Sequence, residues 1–321
     1  MDVLGIGLAN IDLVAHVTDS FLERYRIEKG QAKKLDCLEF GRLRADLPSF
    51  RAVAGGCAAN TLCGLSSAGL KTRFYGKIGS DSFESLYRAS FRHYGVEYKV
   101  KASKEESSQC AVLVSPDGNR SFAYMQGASW QLGCDDFDFQ DIWSARFVYA
   151  EIYAMEFGKV GSVWPFLVNN LRQSKTPLIL KVIDREYARL YSSALFALAE
   201  EGILTMIVGN GDNLPALVGK ETVEEAARAF QKWSCAVLLT DGPENVHYIC
   251  QNVHVEQKPV PVHTPGNTSG AGDQFVAGYI EGMLSELSLQ DRLGLAERRA
   301  KEILMQESPR PPLSGLQGIA F

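Results

Sequence analysis

Downstream of Glu151 the hydrophobic period of this 321-residue chain switches repeatedly between 3.6 and 2. Residues 157–172 read as helix, 178–183 as strand, 186–200 as helix, 203–208 as strand, 223–233 as helix and 237–240 as strand. Few folds accept that succession. Each helix must cross from one strand to a parallel neighbour, so the sheet is mostly parallel and covered on both faces by right-handed crossovers. No repeat and no low-complexity linker divides the series. Residues 3–7 add a short apolar run, read as a buried strand whose end carries Asn10 and Asp12. Ligands of open α/β sheets gather at such ends. A dinucleotide-binding reading of Gly5-x-Gly7 fails, because the third glycine position is Asn10.

At 46% hydrophobic and 22% charged residues the chain can bury a core for one large α/β domain or two ordinary ones. A net charge of -5 without a basic patch argues against a nucleic-acid partner. The seven cysteines are odd in number, scattered and free of Cys-x-x-Cys pairs, which points to free thiols in a reducing cytosol rather than a disulfide framework or a zinc site. The five histidines show no metal-ligand spacing. No apolar run reaches the length of a membrane span. A cytoplasmic protein with neither a membrane nor a nucleic-acid partner is the expectation.

Two clusters of small residues carry the candidate chemistry. Gly270, Ala271 and Gly272 let a turn aim several backbone N–H groups at one point, where an anion would sit, just before a helix begins. That helix is expected to bury one stripe of Phe275, Val276, Tyr279, Ile280, Met283, Leu284 and Leu287. Asp273 falls in its first turn, favoured there by the helix dipole and placed beside a bound phosphate to take a proton from an attacking hydroxyl. By themselves these residues equally describe a turn and a helix cap. The second cluster, Gly55 and Gly56 followed by Asn60, allows backbone to approach a polyol, with an amide that both donates and accepts; tight helix packing explains it as well. Runs 109–115 and 121–125 around Pro116-Asp117-Gly118-Asn119 predict a hairpin. Glu151 ends an apolar strand begun at Arg146, residues 247–250 and 253–255 suggest a second hairpin, and 260–263 a last strand. Residues 13–50 show no long helix, and 292–306 form a final one.

Taken together, these stretches resemble the ribokinase-like (PfkB) family of sugar and nucleoside kinases. Gly270-Ala271-Gly272-Asp273 is similar to its second signature, and Gly55-Gly56-x-x-x-Asn60 to its first, with the likeness continuing through residues 74–81. In residues 19–22 and 28–30 the chain looks most like the adenosine-kinase-like bacterial branch. The resemblance implies a ribokinase-like three-layer α/β/α fold with a mostly parallel central sheet, residues 1–321 forming a single domain. A small β-sheet lid would come from segments of approximately 13–50 and 97–126. It further implies ATP-dependent phosphorylation of a hydroxymethyl group, with Asp273 as general base and the amides of Gly270, Ala271, Gly272 and Asp273 as anion hole. Asn10, Asp12, Gly55, Gly56, Asn60 and Glu151 would hold a sugar or nucleoside. Asn210, Thr240 and Gly242 would meet the nucleotide, and Asn210 and Asn213 would reach Mg2+ through water. A homodimer through the lid is a further implication. The chain departs from the family pattern at Glu84, Asn213, Asn245 and Asn267. Asn267 replaces an Asp tied to a monovalent cation, so potassium activation is not expected. The set of departures leaves open a ligand-binding or regulatory protein of little kinase activity.

Overall fold

The computed structural model describes residues 1–158, 161–262, 269–306 and 308–312. The chain begins with β1 (Val3–Ile6), β2 (Asn10–His16), α1 (Asp19–Arg24), β3 (Ala32–Lys34), α2 (Cys37–Asp46), β4 (Arg51–Gly55), α3 (Cys57–Ser67) and β5 (Thr72–Tyr75). Next come α4 (Glu84–Tyr94), β6 (Ser108–Val114), β7 (Arg120–Met125), α5 (Phe139–Ser144), β8 (Phe147–Glu151), α6 (Val163–Ser174), β9 (Leu178–Val182) and α7 (Arg185–Glu200). The remainder is β10 (Leu204–Asn210), α8 (Leu214–Leu217), α9 (Val223–Phe230), β11 (Ala236–Asp241), β12 (Asn245–Cys250), β13 (Val253–Gln257), α10 (Ala271–Leu284) and α11 (Leu289–Leu304).

The large sheet runs β13-β12-β11-β10-β9-β8-β1-β5. Its strands are parallel from β5 to β11, and β12 and β13 add an antiparallel edge. The expected mostly parallel sheet is therefore present. Period-two alternation splits its side chains between two cores. Tyr149 and Ile179 face α3, α4, α10 and α11, whereas Val148, Leu178 and Leu180 face the layer of α5 to α9. Carried two residues further along β8 and β9, the first alternation puts Glu151 and Lys181 on the α3 and α10 side as register neighbours. A second sheet, β3-β7-β6-β2-β4, stands beside the first.

Several boundaries differ from the sequence reading. Asn10 and Asp12 do not end the first strand, which stops at Ile6; they open β2 of the small sheet, where Asn10 pairs with Gly55. The small sheet thus reaches beyond residues 13–50 to include Asn10 at one end and β4 at the other. Asp36 and Glu39 form a reciprocal capping box that starts the ten-residue α2 in a stretch expected to hold no long helix. The helix expected from residue 157 begins only at Val163: Phe157 and Gly158 lie in a turn, and Gly158 and Gly161 both have positive φ. Pro259 and Pro261 lack the N–H groups a ladder requires, and 260–262 form no strand; His263 lies outside the described residues. Helix α10 is buried nearly all round, not along one stripe, because it is packed between α3, α11 and the sheet.

Candidate active site

Helices α3 and α10 begin at neighbouring points beside the carboxyl ends of β8, β9 and β10. Each starts from a left-handed glycine. Gly56 has φ 99°, and a Cβ there would lie 2.1 Å from the Leu8 carbonyl oxygen; Gly270 has φ 83°, and its Cβ would lie 2.4 Å from that of Pro309. Only glycine allows both turns without displacing backbone. No side chain of the described residues caps α10, and the first N–H groups of a helix are suited to an anion.

Asp273, in that first turn, is only 4% exposed. One carboxylate oxygen pairs with the Lys181 ammonium, and the other accepts a 2.9 Å hydrogen bond from Asn60 Nδ2. Lys181 is itself 8% exposed. Burial is the largest single influence and works against its charge, but the charge and hydrogen bond of Asp273, together with Tyr149 and Cys57, more than offset it and hold its pKa well above the usual lysine value. The Asn60 amide is fixed from its other end by Arg310, whose Nε donates to Oδ1 at 2.9 Å. Arg310 also donates to the Gly55 carbonyl at 3.4 Å and to Ser90. With its oxygen on a guanidinium and its nitrogen on a carboxylate, Asn60 has one favourable flip state.

Asp12 faces the same space. Burial pushes its pKa up to about 6, against a 2.6 Å hydrogen bond from Asn10 and the attraction of Arg310, while Asp273 adds repulsion. Glu151 is fully buried, and its two oxygens accept from Leu8 N at 3.0 Å and Ala58 N at 2.5 Å. Burial pushes it up to about 7 in spite of those two donors. Its geometry is that of a clasp between the β1–β2 crossing and the start of α3. From the small sheet, Arg120 donates to Ser269 at 2.5 Å, next to the Gly270 turn.

A cavity of about 250 Å³ joins this group to the other predicted residues: Lys181, Gly272 and Cys57 line one side, and Asn210, Asn213 and Thr240 the other. Its polar groups are an ammonium, helix N–H groups and neutral amides, a set that fits the phosphates of a nucleotide. For Mg2+ it offers the amide oxygens of Asn210 and Asn213, and Asn210 Oδ1 already accepts from Asn213 N at 3.2 Å. That suits an ion held mainly by phosphate and water. Gly242, with φ 51°, lies in the β11–β12 turn and does not line the cavity. Burial pushes the Cys57 thiol well above its ordinary range, which makes it a poor nucleophile. A larger depression of about 520 Å³ lies at the opposite ends of β1 and β5, lined by Met1, Thr72 and Glu97. It is remote from the strand ends where such sheets bind ligands.

Of the four departures, Glu84 begins α4 and pairs with Arg88 at 2.8 Å, and Asn245 opens β12 opposite Asp241. Asn267 lies outside the described residues. Sequence reasoning missed Lys181 and Arg310. A lysine inside the apolar run Leu178-Ile179-Leu180-Lys181-Val182-Ile183 is a visible signal, since an unpaired buried ammonium is prohibitively costly. Arg310 gives no comparable signal.

The architecture and this cleft define a class: an α/β protein with a smaller second sheet, in which a helix N-terminus opened by glycine carries a carboxylate. Residues 3–314 match the family described as pfkB family carbohydrate kinase, and the chain belongs to that family. It is accordingly a phosphotransferase with an alcohol group as acceptor. A probable chloroplastic fructokinase of Arabidopsis thaliana is 25% identical over 282 residues, covering 81% of this chain and 69% of that protein. A 5-dehydro-2-deoxygluconokinase of Clostridium beijerinckii is 23% identical over 308 residues, or 88% of this chain and 91% of the relative. The adenosine kinase from Sinorhizobium meliloti superposes with a TM-score of 0.89 at 24% identity, covering 98% of this chain and 96% of that one. A probable sugar kinase from Rhizobium etli gives 0.88 at 23%, covering 97% and 94%. At such identities the structural likeness establishes the ribokinase-like fold. No helix of the described residues is long and apolar enough to cross a membrane.

Proposed function

We propose that this protein transfers the γ-phosphoryl group of ATP to a hydroxymethyl group of a sugar or nucleoside, with Asp273 as general base. The observation that carries the reading is the placement of Asp273 in the first turn of α10, held by Lys181 and Asn60 at the edge of the cavity that Gly272 and Lys181 line. The acceptor would lie toward Asp12, Asn10 and the Gly55–Gly56 turn. Its hydroxyl proton passes to Asp273 as the O–Pγ bond forms, while the bond from Pγ to the β-phosphate oxygen breaks and its electron pair leaves with ADP. The N–H groups of the Gly270–Asp273 turn and the Lys181 ammonium would stabilise the charge on the migrating group. Mg2+, reached through Asn210 and Asn213, would neutralise phosphate charge. Asn60, fixed by Arg310, and Lys181 are positioning partners of the base. Glu151 acts one step further back, by fixing the start of α3. The small sheet would serve as a lid that excludes water, with Arg120 meeting Ser269 at its margin.

Relatives named for fructose, adenosine and 5-dehydro-2-deoxygluconate define the acceptors to try first. The test is acceptor-dependent ADP release with fructose, ribose, adenosine, ketodeoxygluconate and 5-dehydro-2-deoxygluconate, each with and without Mg2+. Turnover with one of them supports the reading. The alternative is a ligand-binding protein with little turnover, which draws on Asn213 and on the engagement of both Asp273 oxygens by protein groups. ADP release that no acceptor increases would favour it.

A further inference from the structure

The edge hairpin of the large sheet brings together three metal-ligating side chains that the sequence separates. In the β12–β13 register His247 stands opposite Glu256, and Ile249 opposite His254. Strand alternation therefore puts His247, His254 and Glu256 on one face. A ligand atom from each lies within 4.8 Å of the others. His247 Nδ1 and His254 Nε2 are 3.1 Å apart, on rings inclined by 29°. Two nitrogens bound to zinc at about 2.0–2.1 Å with tetrahedral angles would be about 3.3 Å apart, so this pair needs little adjustment to share an ion. The carboxylates of Asp241 and Glu224 also act on His247, adding negative potential.

We propose that His247, His254 and Glu256 form a binding site for a zinc-class divalent cation, with water completing the coordination. Two imidazoles and one carboxylate suit a borderline ion, whereas Mg2+ seeks oxygen ligands alone. The site is separate from the cleft, and it fastens β12 to β13 beside the strand that carries Thr240. Its role is structural.

The test is calorimetric titration of the full chain with Zn2+ in excess Mg2+, together with the absorption spectrum of the Co2+-loaded protein. Both are run on wild type, His254→Ala and Glu256→Ala. His254 and Glu256 are exposed, and melting of the metal-free variants checks that they fold. One equivalent should bind to wild type, and the Co2+ spectrum should lack thiolate charge-transfer bands. The affinity should fall about 100-fold or more in His254→Ala, since loss of an outer-shell partner alone costs about 10–100-fold. Zn2+ should raise the melting temperature of wild type and not of His254→Ala. Equal affinity in wild type and His254→Ala, no binding to wild type, or thiolate bands that thiol alkylation abolishes would each overturn the site.

Discussion

Lys181 and Asp273 illustrate how much two side chains can decide. Both are buried, and they form an ion pair. Replacing Lys181 with Met leaves the carboxylate without its cation, and a broken buried pair costs about 3–5 kcal/mol. Chemical denaturation should show a loss of that size, with Lys181→Arg retaining part of the stability. Arg310→Ala acts through the Asn60 amide. It removes the donors to Asn60 Oδ1 and the Gly55 carbonyl, and about 1.5–3 kcal/mol is expected for each charged hydrogen bond lost. Because Asn60 would then keep only its contact with Asp273 and lose the one that fixes its other end, the fall in kcat should exceed any change in the KM for ATP, as steady-state kinetics can show. Site motifs were legible as spacings of glycine and acid, but these partners were not. A lysine in an apolar strand announces that it needs an anion without saying which, and Arg310 reaches Asn60 across 250 residues.

At the scale of elements, the turn into α10 is the most demanding piece. Gly270→Ala would force a Cβ against the Pro309 carbonyl at a positive φ. The left-handed conformation alone costs about 1–2 kcal/mol, and displacement of the turn should also lower turnover; thermal melting and initial rates measure the two effects. The alternation of strands and helices after Glu151 was readable because period two and period 3.6 differ strongly over such lengths. Three places were not. The chain leaves one sheet for another at Gly7-Leu8-Ala9 inside a continuous apolar run, so β1 and β2 read as one strand. The start of α6 follows two glycines of positive φ, a conformation that hydrophobic periodicity does not report. The all-round burial of α10 depends on α3 and α11, which its own periodicity cannot report.

Across the whole molecule, two buried carboxylates set a pH dependence. Asp12 is raised to about 6 and Glu151 to about 7. The unfolded chain releases both protons near pH 4, whereas the folded protein keeps them until about 6 and 7. Between those limits the folded state binds more protons, so its stability falls as pH rises through the window and levels off above it. Denaturation from pH 4 to 8 should show that slope, and Glu151→Gln should flatten its upper part. The same variant sets an amide NH2 against one of the two backbone donors at Leu8 and Ala58, at a cost of about 1–3 kcal/mol.

In the proposed reaction one carboxylate at the start of α10 takes the acceptor's proton. Acceptor-dependent ADP release by Asp273→Asn, at saturating ATP and acceptor, tests it most directly, with ATP binding measured on the same preparation. Turnover should fall about 10²–10⁴-fold while ATP still binds. An asparagine variant that releases ADP at the wild-type rate would contradict it.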